Sequence, residues 1–150
     1  MIKSYEINGN TLAIIPLTKN TSKVIEAEQE IIVEKGSTEI IDESCRYFGS
    51  SYNGRFEGTK EILGVSYKSP IIVEESREII FFPTTSPRIS DCHWISLNNI
   101  DDYKKSNQNT TVINFKNGKT LVLNMSVGSF ENQMIRSLRL ANILKRRKLS

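Results

Sequence analysis

Little in the 150-residue chain is suited to metal binding or nucleophilic catalysis, since it contains two cysteines, one histidine and one tryptophan. Cys45 and Cys92 are too few for a disulfide framework or an all-cysteine zinc site, so free thiols in a reducing cytoplasm are expected. Cys92-His93 offers adjacent ligand types, but neighbours along a strand point to opposite faces, and neither C-x-x-C nor H-x-x-x-H is present. No G-x-S-x-G elbow accompanies His93, which leaves a hydrolase without a recognisable nucleophile. The glycines at 49, 54, 58 and 64 are not followed by a phosphate-loop Gly-Lys-Ser/Thr, because Gly58-Thr59-Lys60 has the wrong order. Glu74-Glu75 and Asp101-Asp102 are sequence neighbours in turn-like settings and read as solvated, not as an acid-base pair across a cleft. No catalytic residue, metal or cofactor is therefore expected.

Long hydrophobic runs are also missing. Leu12 to Leu17 falls far short of the roughly 18 to 20 residues that cross a bilayer, and Met1-Ile2-Lys3 leads into polar residues instead of a signal-peptide core. A non-secreted, cytoplasmic protein is expected, with no membrane partner. There is no repeat, low-complexity tract or linker, so residues 1 to 150 are read as a single domain.

Acidic residues become scarce after the midpoint. Residues 1 to 75 carry 8 Lys/Arg against 12 Asp/Glu, a net of −4, while residues 76 to 150 carry 12 against 5, a net of +7. From Ile135 to Ser150 there are six basic residues and no acid. Such a run suits a polyanionic partner, but taken alone it more often marks a solvated helix end whose cations complement the macrodipole.

Segments rich in Ile, Val, Tyr and Phe read as strands: Ser4 to Ile7, Leu12 to Leu17, Lys23 to Val33 with a break, Ser37 to Ile41, Glu61 to Tyr67, Ile71 to Val73, Ile79 to Phe82, Trp94 to Leu97, Thr110 to Phe115 and Thr120 to Met125. Asn8-Gly9 and Asn117-Gly118 supply hairpin turns between them. Ser126 or Ser129 then caps a helix from about Phe130 to Lys148, with Glu131 in its first turn. Its period places Phe130, Met134, Leu138, Ala141 and Leu144 on one stripe, and Arg136, Arg139, Arg146 and Arg147 opposite, with Leu140 and Ile143 interrupting the basic face. The expected fold is α+β, mainly an antiparallel barrel-like roll closed by one C-terminal helix, for which the pleckstrin-homology-like architecture is an analogy of fold alone.

One stretch, Cys45 to Lys60, interleaves four aromatics, three cations and three glycines with hydroxyl donors. That mixture suits a nucleic-acid surface, where Arg meets phosphate or a narrow minor groove and Gly lets backbone N–H groups approach. It equally suits a glycine-rich connection whose aromatics anchor the core. Phe81-Phe82-Pro83-Thr84-Thr85-Ser86-Pro87-Arg88 is a strand running into a rigid loop with one Arg, either a groove-inserting loop or an inert turn.

Five blocks occur in order between about Ser4 and about Ala141: Ser44-Cys45-Arg46-Tyr47-Phe48-Gly49-Ser50-Ser51-Tyr52 with Gly54-Arg55 and Gly58-Thr59; Lys68-Ser69-Pro70-Ile71; Phe81-Phe82-Pro83-Thr84; Cys92-His93-Trp94-Ile95-Ser96; and Asn117-Gly118-Lys119-Thr120 through Ser129-Phe130-Glu131-Asn132-Gln133. With these in register the chain resembles the ComK family, the competence transcription factors of Gram-positive bacteria.

The resemblance implies a DNA-binding transcriptional activator that recognises paired A/T-rich boxes, largely from the minor groove. It implies action as an oligomer, a dimer or tetramer formed by dimers pairing on DNA, at the genes for DNA uptake and at its own promoter. A nucleoid-associated location and RNA polymerase as a partner go with that role. Narrow A-tract minor grooves attract Arg and Lys, and the information there is mostly A·T against G·C. Charge in and beside the matching blocks selects Arg46, Arg55, Lys60 and Arg88 as contacts, with Lys119, Arg136 and Arg139 as further candidates. No helix-turn-helix signature is visible, so no recognition helix is expected.

Family members continue past the C-terminal helix into an extension read by an adaptor that delivers them to a Clp-type protease. This chain stops at Ser150, just after the basic run. The extension is expected to be absent, which puts adaptor binding, tetramer formation and full activation in doubt and leaves DNA binding least affected. The rival from another class is a non-enzymatic protein- or anionic-ligand-interaction module using the basic C-terminal helix.

Overall fold

Uninterrupted apolar runs such as Leu12-Ala13-Ile14-Ile15 and Ile79-Ile80-Phe81-Phe82 belong to strands covered on both faces, and both runs lie at the centre of a layered molecule. The computed structural model describes residues 1–150. In chain order its elements are β1 (Thr11–Thr18), β2 (Thr21–Glu26), β3 (Glu30–Val33), α1 (Ser37–Tyr47), α2 (Tyr52–Leu63), β4 (Ile71–Glu74), β5 (Ile79–Pro83), β6 (Trp94–Ser96), β7 (Ile100–Asn107), β8 (Thr110–Phe115), β9 (Thr120–Leu123) and α3 (Val127–Leu149). Six strands form one sheet in the order β3-β2-β1-β6-β5-β4, and three form a second in the order β7-β8-β9. All pairings between these strands are antiparallel.

The alternation of side chains across a strand divides the core in two. Ile14, Val24, Phe81 and Trp94 point towards Ile40, Ile41 and Cys45 of α1, with Tyr52 and Phe56 of α2 packed alongside. Ala13, Ile25, Phe82 and Ile95 point the other way, towards Ile113 and Phe115 of β8 and Phe130 of α3. Phe82 and Phe130 meet edge to face at 5.6 Å, a contact that adds roughly 1 kcal/mol to their burial. Nearer the ends of α2 and α3, Leu140 closes over Ile72, Ile80 and Leu97.

The α+β class, the antiparallel sheets and the C-terminal helix all match the sequence reading. The barrel-like closure does not form: the strands make two open sheets, and two further helices cover one of them. Ser37 to Ile41 is the first turn of α1 and no strand, because Ser37, Ile40, Ile41, Ser44 and Cys45 all bury at helical spacing. Glu61 to Tyr67 is the end of α2 and a loop. Ser4 to Ile7 pairs with nothing, and only Ile2 bridges to Val33. Asn8-Gly9 is therefore a turn leading into β1 and joins no hairpin. Asn117-Gly118 does turn the β8-β9 hairpin, with Gly118 at φ +92°, a conformation glycine adopts without strain.

On α3 the fully buried stripe is Phe130, Gln133, Ser137 and Leu140, with Met134, Ala141 and Leu144 of the expected stripe half-buried beside it, so that only Leu138, which is exposed, and Leu140, which is buried, exchange their expected places. Ser126 caps this helix by accepting from the Ser129 N–H. No helix is long and apolar enough to cross a membrane.

Candidate nucleic-acid interface

Three adjoining depressions run along one side of the molecule, and each shares lining residues with the next. The central one is a groove of about 500 Å³ walled by the start of α2 (Tyr52, Asn53, Phe56), the α2-β4 loop (Ser66, Tyr67, Lys68), Thr38 of α1 and the β5-β6 loop (Ser86, Pro87, Arg88). It contains two cations, several hydroxyl and amide groups and no carboxylate. Past Arg88 a second depression reaches Lys19, where Glu39 is the acid present, and past Lys68 a third reaches Asn132 and Arg136 of α3.

Each wall is held by hydrogen bonds. The α2 N-terminus is set by Ser51, whose Oγ accepts from the Gly54 N–H at 3.0 Å, and by Asp42 Oδ1, which accepts from the Tyr52 N–H at 2.8 Å. The β5-β6 loop is pinned to α1, because Thr38 donates to the Pro87 carbonyl at 3.2 Å and Ser37 donates to the Cys92 carbonyl. Trp94 Nε1 donates to Thr38 Oγ1 at 3.1 Å and fixes that hydroxyl in turn. Lys68 holds the left-handed φ of +48°, a strained position for a residue with a Cβ, and neighbouring contacts keep it there. Thr59 donates to the Pro70 carbonyl at 2.9 Å, and Gln133 donates to the Lys68 carbonyl at 2.9 Å. Burial pushes the Tyr52 hydroxyl up to about 12 despite the nearby Arg88 cation.

The seven cations selected from the sequence divide by setting. Arg88 lies in the groove and Arg136 at its α3 end. Arg136 Nη1 donates to the Tyr67 carbonyl at 3.2 Å, and its guanidinium sits 4.7 Å from the Tyr67 ring centroid. Lys60 is exposed one helical turn beyond Phe56, and Arg139 is exposed one turn beyond Arg136, and neither lines the depressions. Arg55 is half-buried on α2, where its Nε is shielded from solvent without a partner.

The other two point into different surroundings. Arg46 pairs with Asp42 at 2.9 Å and lines a depression that also contains Glu6 and Glu43. Lys119 Nζ donates to the Glu26 carbonyl at 2.8 Å, while Asn117 donates to the Ala27 carbonyl at 2.9 Å. These two contacts staple the β8-β9 turn to the β2-β3 turn. Lys68 and Tyr67 were not selected from the sequence, since nothing marks a loop residue as facing a groove until the loop is placed. The one available signal was that Lys68 opens a matching block.

Cys45 and Cys92 are free and fully buried, on the core side of this surface. His93 Nδ1 lies 3.1 Å from the Asp91 carbonyl, a local contact within the β5-β6 loop.

The family model for ComK, described as ComK protein, matches residues 2–148. The chain is also similar to the competence transcription factor of Bacillus subtilis (strain 168), with 42% identity over 139 residues, which is 91% of this chain and 72% of that protein. No solved structure matches it.

Proposed function

The chain belongs to the ComK family, and we propose that it is a DNA-binding transcriptional activator of competence genes that reads A/T-rich boxes through the minor groove as an oligomer. The relative is a competence transcription factor, which supports the regulatory role. The observation that carries the DNA-contacting part is the carboxylate-free groove holding Lys68 and Arg88 and continuing to Arg136. A narrow A-tract minor groove concentrates negative potential, and an open line of cations interspersed with Ser, Thr and Asn donors is complementary to it.

In this reading Arg88, Lys68 and Arg136 take the central contacts, Lys60 and Arg139 extend them, and Arg46 and Lys119 contribute little. Minor-groove readout separates A·T from G·C and little else, so one copy specifies too few base pairs, and paired copies on paired boxes supply the rest. The protein then acts at the nucleoid in the cytoplasm, on the genes for DNA uptake, with RNA polymerase as its further partner.

Fluorescence anisotropy with a duplex carrying two A/T boxes, beside a G/C control, tests this. The expected result is preference for the A/T duplex, displacement by a minor-groove ligand, and a log-affinity slope against log salt of roughly −0.9 per phosphate neutralised. Equal, weak binding to both duplexes would overturn it and leave the basic end of α3 as an element for another polyanion.

A further inference from the structure

Two exposed tyrosines stand in opposite electrostatic settings, one of them on this surface. Tyr47 is 65% exposed, but it shares its depression with the carboxylates of Glu6 and Glu43, which repel a phosphate backbone. Tyr67 is 64% exposed and lies where the central groove meets the α3 depression, with Lys68 and Arg136 as its charged neighbours. An exposed aromatic carries a hydration cost unless its free face is covered, and here the flanking Lys68 and Arg136 favour a polyanion whose bases can cover it.

The ring is also prepared for contact. Arg136 packs on one of its faces at 4.7 Å, while the same guanidinium holds the Tyr67 carbonyl at 3.2 Å. Gln133, only 3% exposed, anchors the next residue through the Lys68 carbonyl at 2.9 Å and accepts from Arg136 at 3.4 Å. The Tyr67 backbone is therefore held at its carbonyl, and the guanidinium covers one side of a ring that is otherwise largely exposed. Little backbone freedom is left to lose there on contact.

We propose that Tyr67 is the wedge of the interface: resting on the DNA-binding reading above, its open face stacks against a base step exposed in the A/T box, with Arg136 behind it facing the backbone. Wedges of this kind partly unstack a step and bend the duplex, and flexible T-A steps yield most readily. The wedge gives the protein a preference for deformable A/T sequence that hydrogen bonding in the degenerate minor groove cannot supply.

The test uses a box duplex in which 2-aminopurine replaces one adenine at a time, reading its fluorescence and the anisotropy in the same titration. The expected result is a fluorescence rise confined to one step with the wild-type chain. Tyr67→Ala abolishes that rise and weakens binding about tenfold. Tyr67→Phe keeps the rise, and Tyr47→Ala leaves both signals unchanged. Circular dichroism of each variant shows that the fold is intact, as expected for substitutions at exposed positions. Wild-type binding to the A/T duplex without any local rise, or a rise that survives Tyr67→Ala, overturns the wedge and leaves the DNA-binding reading standing. Failure of the wild-type chain to prefer the A/T duplex overturns both.

Discussion

Gln133, buried on α3, donates its side-chain amide to the Lys68 carbonyl at 2.9 Å and to the Pro83 carbonyl at 2.7 Å, tying the α2-β4 loop to the end of β5. Gln133→Leu keeps the approximate volume and removes this donor from both carbonyls. The expected cost is about 1–3 kcal/mol, since buried acceptors left without a partner forfeit most of their desolvation energy. Urea unfolding should show a lower midpoint with an unchanged slope, and amide exchange should quicken in residues 66–69.

Gly36 precedes α1 at the place where the chain passes the β1-β2 turn. A Cβ built there would lie 2.6 Å from the Lys19 carbonyl oxygen, and that atom is backbone, so neither side can yield cheaply. Gly36→Ala is expected to lower stability by roughly 1–3 kcal/mol, the usual range for overpacking. A thermal midpoint within a degree of the wild type would mean that the two segments separate freely.

These two sites illustrate what the sequence could and could not reveal. The strands β1, β4, β5 and β8 and the turn at Asn117-Gly118 were legible because buried runs and a positive-φ dipeptide are local signals. The α1 segment reads as a strand because Ile40-Ile41 is a β-branched pair, while the helical stripe that buries it is completed by Ser37, Ser44 and Cys45. On α3 the same weakness exchanges Leu138 and Leu140, for Gln133 and Ser137 are interior yet polar: Gln133 is satisfied as above, and Ser137 donates to the Gln133 carbonyl at 2.8 Å. β7, Ile-Asp-Asp-Tyr-Lys-Lys-Ser-Asn, has only Ile100 buried and exists as a strand through its ladder with β8. The groove was invisible for a related reason, since Lys68 and Arg88 are 20 positions apart on different loops and meet only through the packing that holds those loops.

Both thiols should be inert in the folded protein. Burial pushes Cys45 up to about 12, with the Arg55 cation opposing without offsetting it, and burial raises Cys92 as well. Since the thiolate is the reactive form, a disulfide reagent at pH 8 is expected to label neither residue in native buffer and both in guanidinium. Rapid native labelling of one thiol would mean that the α1 side of the core opens.

Glu74 closes the β4-β5 turn. Burial alone would raise its carboxyl, but hydrogen bonds from the Arg77 N–H at 2.8 Å, Arg77 Nε at 2.9 Å and Ser76 Oγ at 2.8 Å outweigh it and hold the pKa down to about 2. A carboxylate lowered by folding stabilises the native state above its unfolded value of 4.5, and that contribution is lost as pH falls towards 2. The turn lies at the surface, so solvent screening limits the contribution to about 1 kcal/mol or less. Wild type and Glu74→Gln are expected to differ at pH 6 and to converge between pH 4.5 and 2. A constant difference over that window would mean that the turn survives protonation.

Arg88 and Arg46 separate the groove from charge in general. Arg88 lies in the carboxylate-free groove, whereas Arg46 is already paired with Asp42 at 2.9 Å beside Glu6 and Glu43. Every phosphate that a side chain neutralises adds roughly 0.9 to the steepness of log affinity against log salt. Arg88→Ala is therefore expected to reduce that slope by about 0.9 and weaken A/T binding, while Arg46→Ala leaves the slope unchanged even though both remove one positive charge. Equal effects of the two substitutions would mean that binding follows net charge, and the groove would then have no privileged part in it.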